Sequence, residues 1–356
     1  MTTVNLAIFG IGNVGSILID QVQDIKQRLL DEQGLDLRIP VITNSALAYF
    51  TDDTNKNWQT DFKKSSVNYD ILDVIKYFKS QQLKNAIAVD VTASKTLVDN
   101  YELLIEKGFH IISANKIANT LSQDYYNRLR RALKEKGKRY LYETNVGAGL
   151  PIVETVKNLY QSGENVTKIR GVFSGSLSYI FNTFSEAEKP FNDILNTALL
   201  DGLTEPDPRD DLSGKDVARK LLILARELGI KHELNEIKVA SLVPEELGGE
   251  TTLEQFKERS YELNSIFENK KKSQSPDTVL RYIGELDDLN KTLEVRLTSV
   301  PKSSPLGQLK GTDNLFEIYS ESYDKQPLVI QGAGAGKSVT ARGVLSDIIK
   351  LAQSLK

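Results

Sequence analysis

Acidic and basic side chains are concentrated between Glu205 and Lys220. These 16 residues carry five carboxylates and four cations. Pro206 and Pro208 stiffen the first half, because each proline ring fixes its own φ angle. A rigid acidic loop that faces a lysine suits a substrate carrying an amine, since carboxylates bind ammonium groups through charge-assisted hydrogen bonds.

A helix is predicted to follow this loop. Ser213 and Asp216 have the spacing of a capping box, which places the start of the helix near Gly214. Its apolar residues form one stripe at helical spacing: Val217, Ala218, Leu221, Leu222, Leu224, Ala225 and Leu228. Lys220 lies about 40° outside this stripe, so its stem can be buried while its ammonium reaches a cleft wall. The spacing equally allows Asp216 and Lys220 to be an ordinary surface ion pair.

The composition is that of a globular protein long enough for two domains. The chain has 356 residues, a formal net charge of −3, 40% hydrophobic residues and 26% charged residues. This mild negative charge gives no reason to expect nucleic acid or an anionic membrane as a partner. No apolar run approaches the roughly 18 residues that cross a bilayer, and no secretory signal is recognisable. We therefore expect a cytoplasmic protein.

The chain has no cysteine and only two histidines, His110 and His232. The missing thiols exclude disulfides, thiolate zinc sites and a cysteine nucleophile. A histidine metal site or a Ser–His–Asp triad would need one of the two imidazoles. His110 lies in the apolar run 109–112 and is interpreted as structural. Acid–base chemistry is therefore expected from lysine and carboxylates.

Short apolar strands alternate with helices in the first part of the chain. Strands are predicted at 4–9, 38–43, 86–91, 109–113 and 140–143, and helices at 13–30, 70–78, 101–107 and 122–136. This alternation predicts an α/β fold whose first domain is a Rossmann-type doubly wound parallel sheet.

The pattern changes after Pro151. A helix is predicted at 152–160 and a strand at 168–173, followed by alternating runs at 279–283, 292–300, 314–320 and 327–331. These runs predict an α+β domain with a mostly antiparallel sheet. A last helix, at 338–354, is expected to return to the first domain. We expect a dinucleotide-binding domain at 1–150, completed by 332–356, and a second domain at 151–331.

A glycine-rich turn joins the first strand to the first helix. It contains Gly10, Gly12 and Gly15 in the spacing G-x-G-x-x-G, with Asn13 and Val14 between the last two. The first glycine permits a tight turn, the second lets a pyrophosphate approach, and the third lets helix and strand pack closely. This context predicts a bound dinucleotide. The segment 42–45 after the second strand has no acid to hold a ribose, so the choice between NAD and NADP stays open.

A second glycine-rich segment, 332–338, resembles a phosphate-binding P-loop but is one residue too short. We interpret it as a tight turn beside the cofactor or at a domain hinge. Lys116 follows a predicted parallel strand, where ligands commonly bind, although a lysine that merely caps a strand gives the same pattern. The segment 145–151 is either a hinge or a source of carbonyl ligands for a hard cation.

Taken together, these motifs resemble the homoserine dehydrogenase family, in its short form without an aspartate kinase. The resemblance covers nearly the whole chain. It rests on 10–15, 114–116, 145–151, 171–180 and above all the Glu-Pro-Asp-Pro and Asp-Val-Ala-Arg-Lys order within 202–220.

The resemblance implies site residues as well as a fold. Lys220 would exchange a proton with the reacting oxygen, with Lys116 and Asp216 beside it in the catalytic set. Substrate would be bound by Glu205, Asp211 and Asp216. Cofactor contacts would come from Gly10, Gly12, Asn13, Val14, Gly15, Thr92, Lys116 and Gly336. A monovalent cation such as Na⁺ would bind at Glu143, Val146, Ala148 and Leu150.

The implied reaction is the NAD(P)-dependent interconversion of L-aspartate 4-semialdehyde and L-homoserine, a step toward threonine and methionine. The family is dimeric, and its second domain supplies both the substrate site and the dimer interface. The chain ends soon after the first domain closes, so we expect no ACT domain and no feedback inhibition through one. Two alternatives stay open: another amino-acid dehydrogenase, and a non-catalytic dinucleotide sensor.

Overall fold

The computed structural model describes residues 1–356 and divides into two compact units. The first unit comprises Met1–Gly149 and Gly336–Lys356, and the second comprises Leu150–Ala335. None of the helices combines the length and apolar character that crossing a bilayer would require.

A seven-stranded sheet forms the centre of the first unit. Its strands are β1 (Thr2–Phe9), β2 (Leu35–Thr43), β3 (Leu47–Phe50), β4 (Val67–Asn68), β5 (Ala86–Asp90), β6 (His110–Ser113) and β7 (Tyr140–Leu141). The spatial order is β4-β3-β2-β1-β5-β6-β7. The five strands from β2 to β7 in this order are parallel, and β3 and β4 add an antiparallel edge. The predicted parallel-dominated sheet is confirmed, whereas its antiparallel edge was not predicted.

Helices cover the faces of this sheet. They are α1 (Asn13–Gln33), α2 (Trp58–Ser65), α3 (Ile71–Ser80), α4 (Lys95–Val98), α5 (Tyr101–Glu106), α6 (Ile117–Thr120) and α7 (Gln123–Glu135). Strand β1 is buried over its last six residues, as expected for a strand covered on both faces. This burial accounts for its continuous apolar sequence.

The second unit contains a six-stranded sheet. Its strands are β8 (Val166–Val172), β9 (Lys238–Val239), β10 (Thr278–Asp287), β11 (Thr292–Pro301), β12 (Asp313–Ser320) and β13 (Leu328–Ala333). The order is β13-β12-β8-β10-β11-β9, and every pairing is antiparallel except that of β9 with β11. The predicted mostly antiparallel sheet is confirmed. Its central strand β8 carries the residues that lead into the candidate site.

The helices of the second unit are more numerous than predicted. They are α8 (Ile152–Gln161), α9 (Gly175–Glu186), α10 (Phe191–Leu200), α11 (Pro208–Leu212), α12 (Lys215–Glu227), α13 (Leu253–Arg259), α14 (Leu263–Lys272) and α15 (Pro305–Gln308). Phe181, Phe191 and Phe267 contact one another and join α9, α10 and α14. These aromatic contacts were not foreseen, because they join residues distant in sequence.

The predicted capping box at the start of α12 is wrong. Ser213 terminates the short helix α11, and Gly214 precedes α12 in a left-handed conformation with φ of 72° and no side-chain cap. A Cβ at Gly214 would lie 2.0 Å from the Tyr282 hydroxyl oxygen. The chain therefore passes from one helix to the next through a conformation and a space that favour glycine.

The last helix, α16 (Lys337–Gln353), belongs to the first unit and packs against α1. Its buried Val344, Leu345 and Ile348 share one core cluster with Leu18 and Ile19 of α1. The C-terminal segment therefore completes the core of the unit that the N-terminal segment begins.

His110 occupies a buried position in β6, with only 4% of its surface exposed. Its Nδ1 accepts a hydrogen bond of 3.1 Å from the Arg139 amide. Burial, reinforced by Lys138 and Arg139, lowers the pKa of His110 to about 4. The imidazole is therefore neutral at physiological pH, which supports a structural role.

This pKa predicts a specific acid sensitivity. An unfolded histidine has a pKa of about 6.5, so lowering the pH from there toward the folded value protonates the unfolded chain only. Stability should fall through this window, by on the order of 3 kcal/mol in all. His110→Asn, whose Oδ1 replaces the Nδ1 acceptor, should flatten that fall in urea titrations followed by Trp58 fluorescence, the chain's single tryptophan. His232→Asn is the control. An unchanged pH profile in His110→Asn would contradict the assignment.

Candidate functional site

Three strands of the first unit end side by side. The pairing places Phe9 of β1 opposite Asp90 of β5, and Asp90 opposite Ser113 of β6. The turns 10–15, 91–94 and 114–116 therefore leave the same edge of the sheet. The carboxyl edge of a parallel sheet is where α/β proteins bind ligands.

The three glycines of the first turn have different surroundings. Gly10 has a φ of 101°, and a Cβ there would lie 2.9 Å from Thr92 Cγ2. A Cβ at Gly15 would lie 1.9 Å from the Gly10 carbonyl oxygen. A Cβ at Gly12 would have no neighbouring atom within 4 Å, and Gly12 precedes α1 without any side-chain cap. Gly12 and the uncapped first turn at Asn13 and Val14 therefore leave room for a pyrophosphate at the helix N-terminus.

Thr92 and Lys116 lie in the two neighbouring turns. Thr92 Oγ1 donates to Asp90 at 2.7 Å, which fixes the turn after β5. Lys116 is half-buried and precedes α6 as its N-cap residue. Gly336, the remaining predicted cofactor contact, precedes α16 with a φ of 119°. The structure therefore brings the glycine turn, Thr92 and Lys116 to one sheet edge.

Lys220 is a nearly buried cation of the second unit. Its Nζ donates to the Phe173 carbonyl oxygen at 2.7 Å and lies 2.9 Å from Asp216 Oδ2. Only 11% of the Lys220 side chain is exposed, whereas 43% of the Asp216 side chain is. The lysine is therefore buried more deeply than the apolar stripe predicted, because α12 buries a wider face that also includes Arg226 and Glu227.

Asp211 links the acidic segment to α9. Its Oδ1 accepts from Ser176 Oγ at 2.6 Å, and its Oδ2 accepts from the Glu205 amide at 2.8 Å. Burial raises the pKa of Asp211, and Asp216 acts in the same direction. The Glu205 residue itself is exposed. The segment predicted as a Pro-stiffened loop is thus anchored by one carboxylate and presents another to solvent.

Three features around Lys220 escaped the sequence interpretation: the Phe173 carbonyl, Asn314 and Gly334. Asn314 is fully buried at the start of β12, and its Nδ2 donates to the Phe173 carbonyl at 3.1 Å. A Cβ at Gly334 would lie 1.9 Å from Asn314 Cγ, so this glycine makes room for the amide. The only sequence signal was an asparagine near the start of a strand, directly before the apolar pair Leu315 and Phe316.

The predicted cation ligands divide between the two units. Glu143 begins a one-turn 3₁₀ helix, and Val146 and Ala148 follow it in the first unit. Leu150 is the first residue of the second unit. Ala148 has a φ of 53°, and the buried Thr144 Oγ1 beside this turn has no hydrogen-bond partner. No cluster of acidic or histidine side chains suits a metal. A site built from main-chain oxygens stays a prediction.

Two family models match the chain. The model described as homoserine dehydrogenase matches residues 151–349, and the homoserine dehydrogenase NAD-binding model matches residues 10–143. The chain is 36% identical, over its full length, to the homoserine dehydrogenase of Schizosaccharomyces pombe, of which it covers 97%. The chain belongs to the homoserine dehydrogenase family. The resemblance that its sequence motifs indicated is thus confirmed.

Other relatives differ in length. The chain is 39% identical over 98% of its length to a bifunctional aspartokinase/homoserine dehydrogenase of Buchnera aphidicola, of which it spans 43%. Among solved structures, a Candida auris protein of unknown function is 35% identical, with a TM-score of 0.91 and 99% of both chains covered. An archaeal homoserine dehydrogenase in complex with NADPH is 22% identical over 99% of this chain and 98% of its own, with a TM-score of 0.75, and supports the fold.

Gly15 and Gly12 provide a matched pair of variants that separates stability from cofactor binding. In Gly15→Ala the added Cβ would overlap the Gly10 carbonyl oxygen. Because that oxygen belongs to the main chain and cannot move without distorting the turn, the first unit should lose about 3 kcal/mol of stability. Gly12→Ala should cost less than about 1 kcal/mol but weaken NAD(P) binding at least tenfold, because its methyl occupies the approach to the pyrophosphate. Trp58 fluorescence reports unfolding, and cofactor titration reports binding. Equal behaviour of the two variants would refute these separate roles.

Gly334 provides a test of the buried amide. Gly334→Ala should cost the second unit about 3 kcal/mol, because its Cβ overlaps the Asn314 side chain. Gly248→Ala is the control, since the nearest atom to its added Cβ would lie 3.5 Å away. Thermal unfolding followed by circular dichroism compares the two. Equal midpoints would mean that Asn314 is not held where the structure places it.

Proposed function

We propose that this protein catalyses the NAD(P)-dependent interconversion of L-homoserine and L-aspartate 4-semialdehyde. The observation that carries the proposal is the nearly buried Lys220 ammonium, held by the Phe173 carbonyl and Asp216. It lies in a chain whose homologues include a homoserine dehydrogenase of matching length. The bound cofactor supplies or accepts the hydride at the substrate carbon.

Lys220 is suited to proton transfer at the substrate oxygen. An ammonium group has three N–H donors, and two of them are directed at Phe173 and Asp216. The third remains for the oxygen that changes between aldehyde and alcohol. During reduction this oxygen develops negative charge and takes the proton, and during oxidation the neutral amine takes it back. The two fixed partners hold the amine in place throughout.

Two of the predicted substrate carboxylates are better placed for the substrate ammonium than the third. Glu205 is exposed, and Asp216 keeps 43% of its side chain exposed. Both oxygens of Asp211 already accept hydrogen bonds within the chain. We assign the ammonium to Glu205 and Asp216, while Asp211 supports the site by holding the Glu205 segment. Lys116, at the carboxyl edge of β6, is assigned to the same reaction.

The remaining assignments follow the family. The protein would act as a homodimer on these small molecules in the cytoplasm, within threonine and methionine biosynthesis. A monovalent cation would bind main-chain oxygens near Glu143, Val146 and Ala148. Activity with NAD and NADP, each measured with and without Na⁺, tests the cofactor and cation assignments together.

Replacement of the central lysine tests the proposed chemistry. Lys220→Ala should lower kcat for homoserine oxidation by about 10²- to 10⁴-fold, because the reacting oxygen loses its proton partner. Cofactor affinity should barely change. Lys215→Ala, an exposed lysine on the same helix, should retain full activity. Reduced-cofactor absorbance gives the rates, and circular dichroism checks folding. Near-normal turnover of Lys220→Ala, or turnover of aspartate instead of homoserine, would overturn the proposal.

A further inference from the structure

Asp90, the last residue of β5, is a buried carboxylate at the carboxyl edge of the first unit. Only 1% of its surface is exposed. Its Oδ1 accepts from the Thr92 amide at 2.8 Å and from Thr92 Oγ1 at 2.7 Å. Its Oδ2 accepts from the Tyr101 hydroxyl at 2.6 Å and from Asn115 Nδ2 at 3.1 Å. Both oxygens are therefore saturated by donors, which is the pattern of an ionised carboxylate.

These hydrogen bonds join two turns that belong to different strands. Thr92 lies in the turn after β5, and Asn115 lies in the turn after β6, directly before Lys116. Asn115 Nδ2 also donates to the Ser94 carbonyl at 3.0 Å, which ties the same two turns a second time. Asn115 Oδ1 in turn accepts from the Ile117 amide at 3.0 Å. The residues on both sides of Lys116 are thus fixed through one asparagine side chain.

The glycine turn rests on the same assembly. A Cβ at Gly10 would lie 2.9 Å from Thr92 Cγ2, so the turn passes directly over the threonine methyl. Thr92 can hold its side chain there because Asp90 binds both its amide and its hydroxyl. The glycine turn therefore packs against a side chain whose position the carboxylate fixes.

The chemistry of a buried carboxylate explains why this arrangement is rigid. Removing the charge from water is costly, and that cost is offset only while the hydrogen bonds are made. Burial raises the pKa of Asp90, and the hydrogen bonds from Tyr101, Thr92 and Asn115 oppose this rise. Displacing either turn would remove donors from a charged oxygen that water does not reach. The turns are thereby held to one relative position.

We propose that Asp90 is a positioning residue that fixes the Asn115–Lys116 turn relative to Thr92 and the glycine turn, and so sets the position of the Lys116 ammonium. The consequence for catalysis rests on the role proposed for Lys116. The positional claim can also be measured without any activity.

Asp90→Asn separates the hydrogen bonds to Thr92, which it keeps, from the hydrogen bond to Asn115, which it removes. Its Oδ1 can still accept both Thr92 donors, but its Nδ2 then faces Asn115 Nδ2, and two donors cannot bond. Homoserine oxidation should lose kcat about 10- to 100-fold, as expected for a misplaced group, with cofactor affinity within about threefold. Amide hydrogen exchange at Asn115 and Ile117 should be at least tenfold faster, while exchange at Thr92 stays unchanged.

Two further variants distinguish positioning from simple destabilisation. Asn115→Asp replaces the donor to the Ser94 carbonyl by a carboxylate oxygen, so it loses that hydrogen bond as well as the one to Asp90. In Asp90→Asn/Asn115→Asp the new amide donates to the new carboxylate and restores the second of these bonds, so the double variant should be more active and slower to exchange than Asn115→Asp. Tyr101→Phe removes another hydrogen bond to Asp90 and should lower stability while leaving kcat within about twofold. If the two substitutions are merely additive, or if Tyr101→Phe and Asp90→Asn lose kcat equally, Asp90 is structural only.

The same measurements separate failure of this proposal from failure of the proposed function. An unmodified protein that does not oxidise homoserine with either cofactor refutes the function and leaves the exchange data to decide the positional claim. An active protein whose Asp90→Asn variant keeps both kcat and the exchange rates of Asn115 and Ile117 refutes the role of Asp90 and leaves the function intact.

Discussion

The candidate site of the second unit depends on the cost of burying the Lys220 ammonium. The Lys220 ammonium is almost removed from water, and such a charge is tolerated only when it is paired and hydrogen-bonded. Asp216 supplies the charge, and the Phe173 carbonyl, at the end of the central strand β8, supplies a fixed acceptor. Asn314 donates a hydrogen bond to the same carbonyl and helps to fix it, and the Asn314 side chain has space only because residue 334 is glycine. One lysine thereby constrains the residue that follows β8, a residue on β12 and the turn after β13.

The first unit buries a carboxyl group instead of an ammonium group, at the carboxyl edge of its sheet. There the buried carboxyl group of Asp90 is held without an arginine or lysine, by hydrogen-bond donors from Thr92, Tyr101 and Asn115. Neutral donors leave no opposite charge beside the carboxylate. The start of α1 at the same edge carries no side-chain cap, which is the kind of helix terminus that binds anionic groups.

Local patterns predicted those parts of the molecule that short stretches of sequence determine. The parallel strands of the first unit follow from continuous apolar runs, and the glycine turn follows from its position between a strand and a helix. The Asn314–Phe173 contact could not be predicted from sequence. Asn314 binds a main-chain carbonyl 141 residues away, and every residue type carries such a carbonyl, so the identity of Phe173 gives no sign of the contact. The capping box failed because Ser213 was already the end of α11, a helix too short for periodicity to reveal. The burial of Lys220 was also underestimated. The width of the buried face of α12 depends on the elements packed against it, which the sequence of the helix does not specify.

The acidic segment shows how residues of one type divide into different tasks. Sequence reasoning could only group Glu205, Asp211 and Asp216 by charge. In the structure, Asp211 accepts one hydrogen bond from Ser176 and one from the Glu205 main chain, so this carboxylate holds the acidic segment in place. Its hydrogen bond to the Glu205 amide fixes where the Glu205 side chain begins, and Asp216 is fixed by its contact with Lys220. Glu205 and Asp216 keep exposed carboxylates and are each fixed by a neighbouring contact, which is the arrangement that the proposed binding of a substrate ammonium would need.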